Sequence, residues 1–502
     1  MISVQATRQG INQAVLLHWV FHSLPLFVSL LAAMDTTPTR GTVRVQVLVF
    51  ALSTLGSSWL WIRDRRNHWR LGWMFFLLGM LVWFALPALY QVATPGIWFG
   101  DWIGMWIPEE SLSKASLLIS LFFFFARVGY GLVGRNSVPV DIGTEPLIAP
   151  SYRVRIVIGT FALGLIPYLA FGGSLANVVG GIFAGRTDKA WAVVSAVAYE
   201  GNSMMTVFWI ARAFLITSGV LGGAYALMRA KAALLERTLH AVIFLIVAVI
   251  VYFDQGTRSI LAMQILPIVA FYLLDRSRGK YGTSGLILRG LALSIAILIL
   301  TQVQMYFRTD RTRSTLTDLS LSQIVASRQQ TDFFTEAATA VVVRDSILKE
   351  DLRESPLLFF VVNPIPRVLW PSKPLPQAMW HYSLYRWGID IWEKGGNALP
   401  SVVGQYYITW GIPGVAWVGL FYGLAVGWLE KKLLSRGLVE YCLLLGSAAT
   451  FLFLSFRYLF PGFHYSTVAL FVVLVAYRLV RRQTENSQLR APSGLRFVDS
   501  TD

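Results

Sequence analysis

The chain has 502 residues, is 55% hydrophobic and carries only 14% charged residues, where a soluble globular domain carries about one-quarter. Its formal charge is +16, but the cations fall between long apolar runs, where membrane topology and anionic lipid account for them; nucleic-acid binding is excluded as the reading of that charge. The single cysteine, Cys442, rules out a disulfide within the chain, and 18 Trp with 19 Tyr suit two aromatic interface belts.

Twelve apolar segments are predicted to span a membrane, at 13–34, 43–62, 71–93, 114–134, 155–173, 204–227, 237–253, 258–275, 285–306, 403–429, 438–460 and 463–480. The first is long enough to span and has no small-residue cleavage site behind it, so a membrane helix is expected there and not a signal peptide. Arg63, Arg65, Arg66 and Arg70 follow the second segment; Arg135, Arg153 and Arg155 lie about the next even connection; Arg229, Lys231 and Arg237 follow the sixth. Arg276, Arg278 and Lys280 follow the eighth, Lys431, Lys432 and Arg436 the tenth, and Arg478, Arg481 and Arg482 the last. The intervening connections are acidic or nearly neutral, as in GDWIGMWIPEE with Asp101, Glu109 and Glu110. Cations in every second connection put both termini in the cytoplasm by the positive-inside rule. The expected organisation is an all-α polytopic membrane protein with helices 1–9 over 1–306, one large periplasmic or extracellular loop over 307–402, helices 10–12 over 403–480, and a disordered cytoplasmic tail over 481–502. The Gly-rich stretch 172–191 is expected outside, as a re-entrant turn or an interfacial helix. No internal repeat is visible to support an inverted-repeat transporter.

The large loop is the only long polar stretch. It opens with RTDRTR (Arg308, Arg311, Arg313), carries the helical pattern FFTEAATAVVVRDSIL, passes through NPIPRVLWPSKPLP and closes in PSVVGQYYITWGIPG. TEAATAVVVRDSIL has an apolar face and is expected to lie along the membrane surface or to cap the bundle. The prolines exclude continuous helix from the next stretch, leaving either a rigid loop over a cavity or a plain connector.

Cations on the outer side are informative because topology does not require them there. Arg212, Arg258 and Arg457 stand near the outer ends of helices, and guanidinium groups match phosphate oxygens in bidentate fashion. Each can instead snorkel or pair with an acid, Asp254 being the partner for Arg258. Arg344, Arg367, Lys373 and Arg386 either join the same electropositive bowl or are solvated surface cations. Glu336, Asp345, Glu200, His381 and His464 are the acid–base candidates. His18 and His22 share a helix face without a visible third ligand. No DxD-like pair, P-loop or Cys/His cluster occurs, so neither a metal nor a cofactor is expected.

Three patterns carry a resemblance: GTRS (256–259), IPRVLWPSKP (365–374) and PSVVGQYYITWGIPG (400–414). With the many helices and one late outer loop, they make the chain similar to the bacterial polysaccharide polymerases of the O-antigen and enterobacterial-common-antigen type (Wzy-type oligosaccharide repeat-unit polymerases). The resemblance covers nearly the whole chain. It implies a GT-C-like architecture in the inner membrane and a metal-independent glycosyltransferase. Such an enzyme moves a growing glycan from undecaprenyl pyrophosphate onto the next lipid-linked repeat unit, often with a chain-length regulator as partner. It further implies Arg258 and Arg457 on the pyrophosphate, with Arg212, Arg344, Arg367, Lys373 and Arg386 as further substrate contacts, and Glu336 and His464 as candidate catalytic groups. Gly404 and Tyr407, where the loop re-enters the membrane, are implied as substrate contacts too, and Gly404 and Gly411 would allow close backbone packing there. An O-antigen ligase, which transfers to lipid A core, and a lipid-linked oligosaccharide flippase are the alternatives. The WPSKP and GQYY patterns favour the polymerase over the ligase, and charges leaning to the outer edge disfavour transport. A polyprenyl-phosphate mannosyltransferase would need an acidic first outer loop, which MDTTPTR is not.

Overall fold

A computed structural model describes residues 2–63, 71–101, 105–134, 150–172, 203–227, 234–255, 264–265, 268, 332–348, 370, 372, 377–387, 400–434 and 475. Among these residues every regular element is helical and no strand occurs. Five helices are long and apolar enough to cross a membrane: Val15–Ala33, Arg40–Arg63, Gly72–Ala93, Glu109–Val133 and Ser401–Lys431. The protein is an all-α membrane protein.

The first helix, α1 (Ile2–Ala33), shows what solvent the fold was selected for. Leu16, Leu17, Val20, Leu24, Phe27, Leu30 and Leu31 are exposed, while His18, His22 and Ser29 are buried. Apolar outside and polar inside is the reverse of a water-soluble amphipathic helix; it is the pattern of a helix whose surroundings are lipid and whose polar groups seek partners within the bundle. Those partners are on hand: His22 stacks on Phe123 with ring centroids 4.2 Å apart, and Ser29 meets Ser116 and Ser120 at 3.5 Å.

Helix α2 covers Arg40–Arg63. The next span is built in three pieces: α3 (Leu71–Met80), a π-helical turn (Leu81–Ala85) and α4 (Leu86–Ala93). Pro87 explains the turn, because it has no N–H for the Trp83 carbonyl and its ring crowds that position; the preceding turn widens, and the Leu86 N–H bonds to the Leu81 oxygen. Helix α5 covers Glu109–Gly134. Helices α6 (Pro150–Gly172), α7 (Ser203–Leu227) and α8 (Leu234–Gln255) pack on one another. Then come α9 (Phe333–Val342), a second π-helical turn (Val343–Leu348), α10 (Gln377–Trp387) and α11 (Ser401–Leu434).

The expected segments 13–34, 43–62, 71–93, 114–134, 155–173, 204–227, 237–253 and 403–429 thus coincide with helices. The segments 258–275, 285–306, 438–460 and 463–480, the Gly-rich stretch, the proline-punctuated stretch and the tail lie, but for a few residues, outside the described part of the chain.

The largest interface joins α5 to α11, and small residues make it possible. Gly419, Gly423 and Gly427 recur every fourth residue along α11; a Cβ on Gly419 would stand 2.6 Å from the Phe122 carbonyl oxygen, and one on Gly423 would collide with that of Ala126. Backbones in contact gain dispersion where the hydrophobic effect gives nothing, since lipid tails are as apolar as the side chains they would replace. Around this seam Phe50, Trp73, Phe76, Phe84, Phe122 and Phe123 form the aromatic core. Helix α11 starts at the end of the bundle where the α4–α5 connection begins α5, since the π-helical turn after α9 meets Lys114 and Tyr407 there. At the opposite end Glu430 of α11 accepts from the Trp73 N–H (2.9 Å) and the Tyr130 hydroxyl (2.7 Å), capping α3.

Candidate functional site

Helix α9 forms over the expected stretch, but it is buried in the bundle, where the sequence placed it along the membrane surface or as a cap. Phe333, Phe334, Thr335, Ala337, Ala338, Thr339, Ala340 and Val341 are all buried, so apolar packing surrounds the helix instead of lining one face. Phe333 lies 5.0 Å from Trp83 and Phe334 lies 5.0 Å from Phe99, centroid to centroid. Its other side meets α11 at Gly404, where a Cβ would approach Ala340 Cβ to 2.7 Å. Gly404 is therefore a packing glycine, placed for close approach as the sequence led one to expect, but against α9. The α11 entry is itself tight: Ser401 sits at φ +64°, and its Oγ accepts the Gly404 N–H at 3.1 Å.

Among residues 332–341 Glu336 alone is not fully buried, its side chain retaining 12% exposure. Oε2 receives the Tyr382 hydroxyl and the Arg386 Nε, the latter at 3.4 Å. Tyr382 and Arg386 are four apart on α10, so they face the same way and together form a cradle for one carboxylate. Among the described residues Oε1 carries no hydrogen bond, which leaves one lone-pair-bearing oxygen on the open side. Burial pushes the Glu336 carboxyl above the ordinary carboxylate range, opposed by the Arg386 charge and the Tyr382 hydroxyl. Burial and the neighbouring Glu336 charge hold the Tyr382 phenol well above its usual value, so it remains a donor. A carboxylate with a raised pKa, one free oxygen and a fixed cradle is what a general base requires.

One turn earlier lies Asp332, wholly buried. It caps α9, with Oδ1 accepting the Phe334 N–H at 2.9 Å and Oδ2 meeting Thr335 Oγ and Gln91 Nε2. Burial raises its carboxyl too. Past α9, the π-helical turn presents Arg344 and Asp345. Asp345 accepts from Lys114 Nζ (2.6 Å) and Tyr407 Oη (2.7 Å), and both Lys114 and Arg344 sit over the Tyr407 ring, 5.2 and 5.0 Å from its centroid. Arg344 Nη1 donates to the backbone oxygens of Tyr407 and, at 3.0 Å, Ile408.

The structure thus brings Glu336, Arg386, Arg344, Asp345, Gly404 and Tyr407 into one neighbourhood at one end of the bundle. Two of these cations have partners within the chain. Arg386, expected to face an anionic substrate, is 7% exposed and balances Glu336. Arg344 has its Nη1 committed to α11 backbone. His381 lies on α10 beside Trp380, 4.6 Å away, and burial lowers its imidazole pKa; no contact ties it to Glu336. Asp332, Tyr382, Gln91 and Lys114 were missed. The four-residue spacings Asp332–Glu336 and Tyr382–Arg386 were the available signals. Arg258, Arg457, His464, Arg367, Lys373 and Glu200 lie outside the described residues, as does the side chain of Arg212. His18 and His22 serve the α1 packing, with His22 Nδ1 2.7 Å from the His18 oxygen. Among the described residues no three His, Cys, Asp or Glu side chains cluster as metal ligands would. No family model, curated protein or solved structure matches the chain.

Proposed function

We propose that the protein is a metal-independent polysaccharide polymerase of the bacterial inner membrane, with twelve spans, both termini cytoplasmic and its site at the outer face. It transfers a growing glycan from undecaprenyl pyrophosphate to the next lipid-linked repeat unit. The observation that carries this reading is Glu336: a carboxylate on the polar outer segment, buried enough to be basic and open at one oxygen. In the reaction Glu336 takes the proton of the acceptor hydroxyl while that oxygen bonds to the anomeric carbon. The bond from that carbon to the pyrophosphate breaks, and the electron pair leaves on phosphate. Arg386 and Tyr382 hold Glu336 in place. Arg344 supplies positive potential at the same end, Lys114 being offset by Asp345, and such arginine electrostatics offset the departing charge. The sequence likeness in GTRS, IPRVLWPSKP and GQYY supports the same reading and assigns Arg258 and Arg457 to the pyrophosphate.

The test is the gel profile of lipopolysaccharide or exopolysaccharide from a strain lacking the protein, complemented with wild type or with Glu336→Gln. Wild type is expected to restore the long-chain ladder, and Glu336→Gln to leave a single repeat unit. Complete polymer held on undecaprenyl pyrophosphate beside bare core would replace the polymerase by a ligase, and repeat units trapped on the cytoplasmic leaflet would replace both by a transporter. A full ladder from Glu336→Gln would remove Glu336 from the chemistry.

A further inference from the structure

Gln91 is a polar side chain in an apolar place. Phe84, Ala88 and Gln91, spaced four and three residues apart, share the buried face of the third span. Gln91 is 3% exposed, and its Oε1 has no hydrogen-bond partner among the described residues. Burying that oxygen costs free energy that a methionine or leucine would not. What the side chain gains is at its nitrogen, where Nε2 donates to Asp332 Oδ2 and, at 3.4 Å, to the Pro87 oxygen.

The Asp332 carboxylate is held by donors throughout. The Phe334 N–H and Thr335 Oγ belong to α9 itself, so among the described residues Gln91 alone ties this carboxylate to another helix. The tie runs on into the base: the Asp332 backbone oxygen accepts the Glu336 N–H at 3.2 Å, closing the first turn of α9. The other contacts that the third span makes here are apolar, with Trp83 and Phe84 lying 5.0 and 6.2 Å from Phe333, centroid to centroid. Apolar packing is non-directional and lets a helix turn or slide by small amounts, whereas a hydrogen bond to a capping carboxylate is directional. Gln91 is also a neutral donor, so it holds Asp332 without a second cation that would compete with Arg386 for Glu336.

We propose that Gln91 is a positioning residue for Glu336: acting through Asp332, it fixes the first turn of α9 so that Glu336 Oε2 meets Tyr382 and Arg386 while Oε1 stays open. The role rests on the reading of Glu336 as the base given above; the tie between α4 and α9 does not.

The test uses the full chain in lipid nanodiscs with two readouts, amide hydrogen exchange over 332–342 and glycan transfer between undecaprenyl-pyrophosphate-linked repeat units. Gln91→Met keeps the volume and removes the donor. Exchange in the first turn of α9 is expected to rise, and kcat to fall by about 10–100-fold with KM unchanged. Gln91→Glu, which sets a second acceptor against Asp332, is expected to do the same. Adding Asp332→Asn to it exchanges donor and acceptor across the contact and should bring both readouts back toward wild type, a rescue that lost packing alone would not give. Wild-type kcat in Gln91→Met, a loss confined to KM, or a swapped pair no better than Gln91→Glu would overturn the proposal. Unchanged exchange in Gln91→Met would overturn it too, and that variant decides the matter where the others do not fold. Full transfer by Glu336→Gln would instead end the reading of the base, and this role with it, while exchange still reports whether Gln91 holds α9.

Discussion

The Nη2 atom of Arg344 lies 2.9 Å from the point that a Cβ on Gly411 would occupy. Gly411 has φ +67° and ψ −154° and breaks α11 into two helical pieces, a conformation open almost only to glycine. Pro413 has no N–H, so the helix could not run on unbroken through this point. The carbonyls left over at Tyr407 and Ile408 are taken by Arg344. The break in a spanning helix and the cation of the outer segment are therefore one structure.

Gly411→Ala should cost about 1–3 kcal/mol from backbone strain alone, and Arg344→Ala about 1–3 kcal/mol for each carbonyl left unsatisfied. Because the two share one site, the double variant should fall short of the sum. Thermal unfolding of the purified chain in detergent measures all three, and additivity would separate the cation from the break.

The α5–α11 seam makes a contrasting prediction. Gly423→Val places two methyl groups where the Ala126 carbonyl already stands, a clash with backbone that no rotamer relieves. Overpacking of this kind costs about 1–3 kcal/mol or more, and here it should lower the yield of folded, monodisperse protein. Gly96→Ala, in the α4–α5 connection with nothing within 4 Å of its Cβ, should show only the smaller cost of its positive φ.

How much of this was legible in the chain follows from which forces leave a one-dimensional trace. Spanning helices do, because length and apolarity must match the bilayer; that is why α1, α2, α5 and α11 coincide with the expected segments. The helix at Phe333 was visible for a different reason, the helical spacing of its apolar residues. Its burial was not: an amphipathic surface helix and a plug differ only in what covers the polar side, and here the cover is α10 and the α4–α5 connection, brought by tertiary packing. Arg386 shows the limit most plainly. As a letter it is one more outer cation; only Glu336 on a helix 50 residues away in sequence makes it a buried counter-charge. Asp332 reads as a helix cap, and nothing in the string says that it faces neutral partners.

That counter-charge can be tested directly. Arg386→Met removes the cation but keeps much of the volume, and leaves Glu336 buried without it. Breaking a buried pair from one side costs about 3–5 kcal/mol, reduced if the carboxyl takes up a proton instead. Arg386→Met with Glu336→Gln should recover much of the loss, since both charges then go together. Unfolding midpoints of the single and double variants decide it, and a double variant no better than Arg386→Met would mean that Arg386 acts through other contacts.

The pH dependence has a definite sign. Burial raises the carboxyls of Glu336 and Asp332 above their unfolded values, so between the ordinary carboxylate range and the raised values the native state binds more protons than the unfolded one. Stability must then fall as pH rises through that window and level off above it. The contribution is fully present below the unfolded carboxylate range and is lost on ionisation in the folded state. Asp332→Asn should flatten the part of the slope that Asp332 contributes, and Tyr382→Phe should steepen the rest, because loss of the hydroxyl that favours ionised Glu336 raises its carboxyl further. The rate of glycan transfer should move with it: if Glu336 is the base, the acid limb of the pH–rate profile shifts to higher pH in Tyr382→Phe, while Asp332→Asn, removing a neighbouring carboxyl, shifts it lower or leaves it in place. Unfolding midpoints and initial rates measured across the same buffers test both limbs together. A Tyr382→Phe profile displaced to lower pH would contradict the cradle as the source of the tuning.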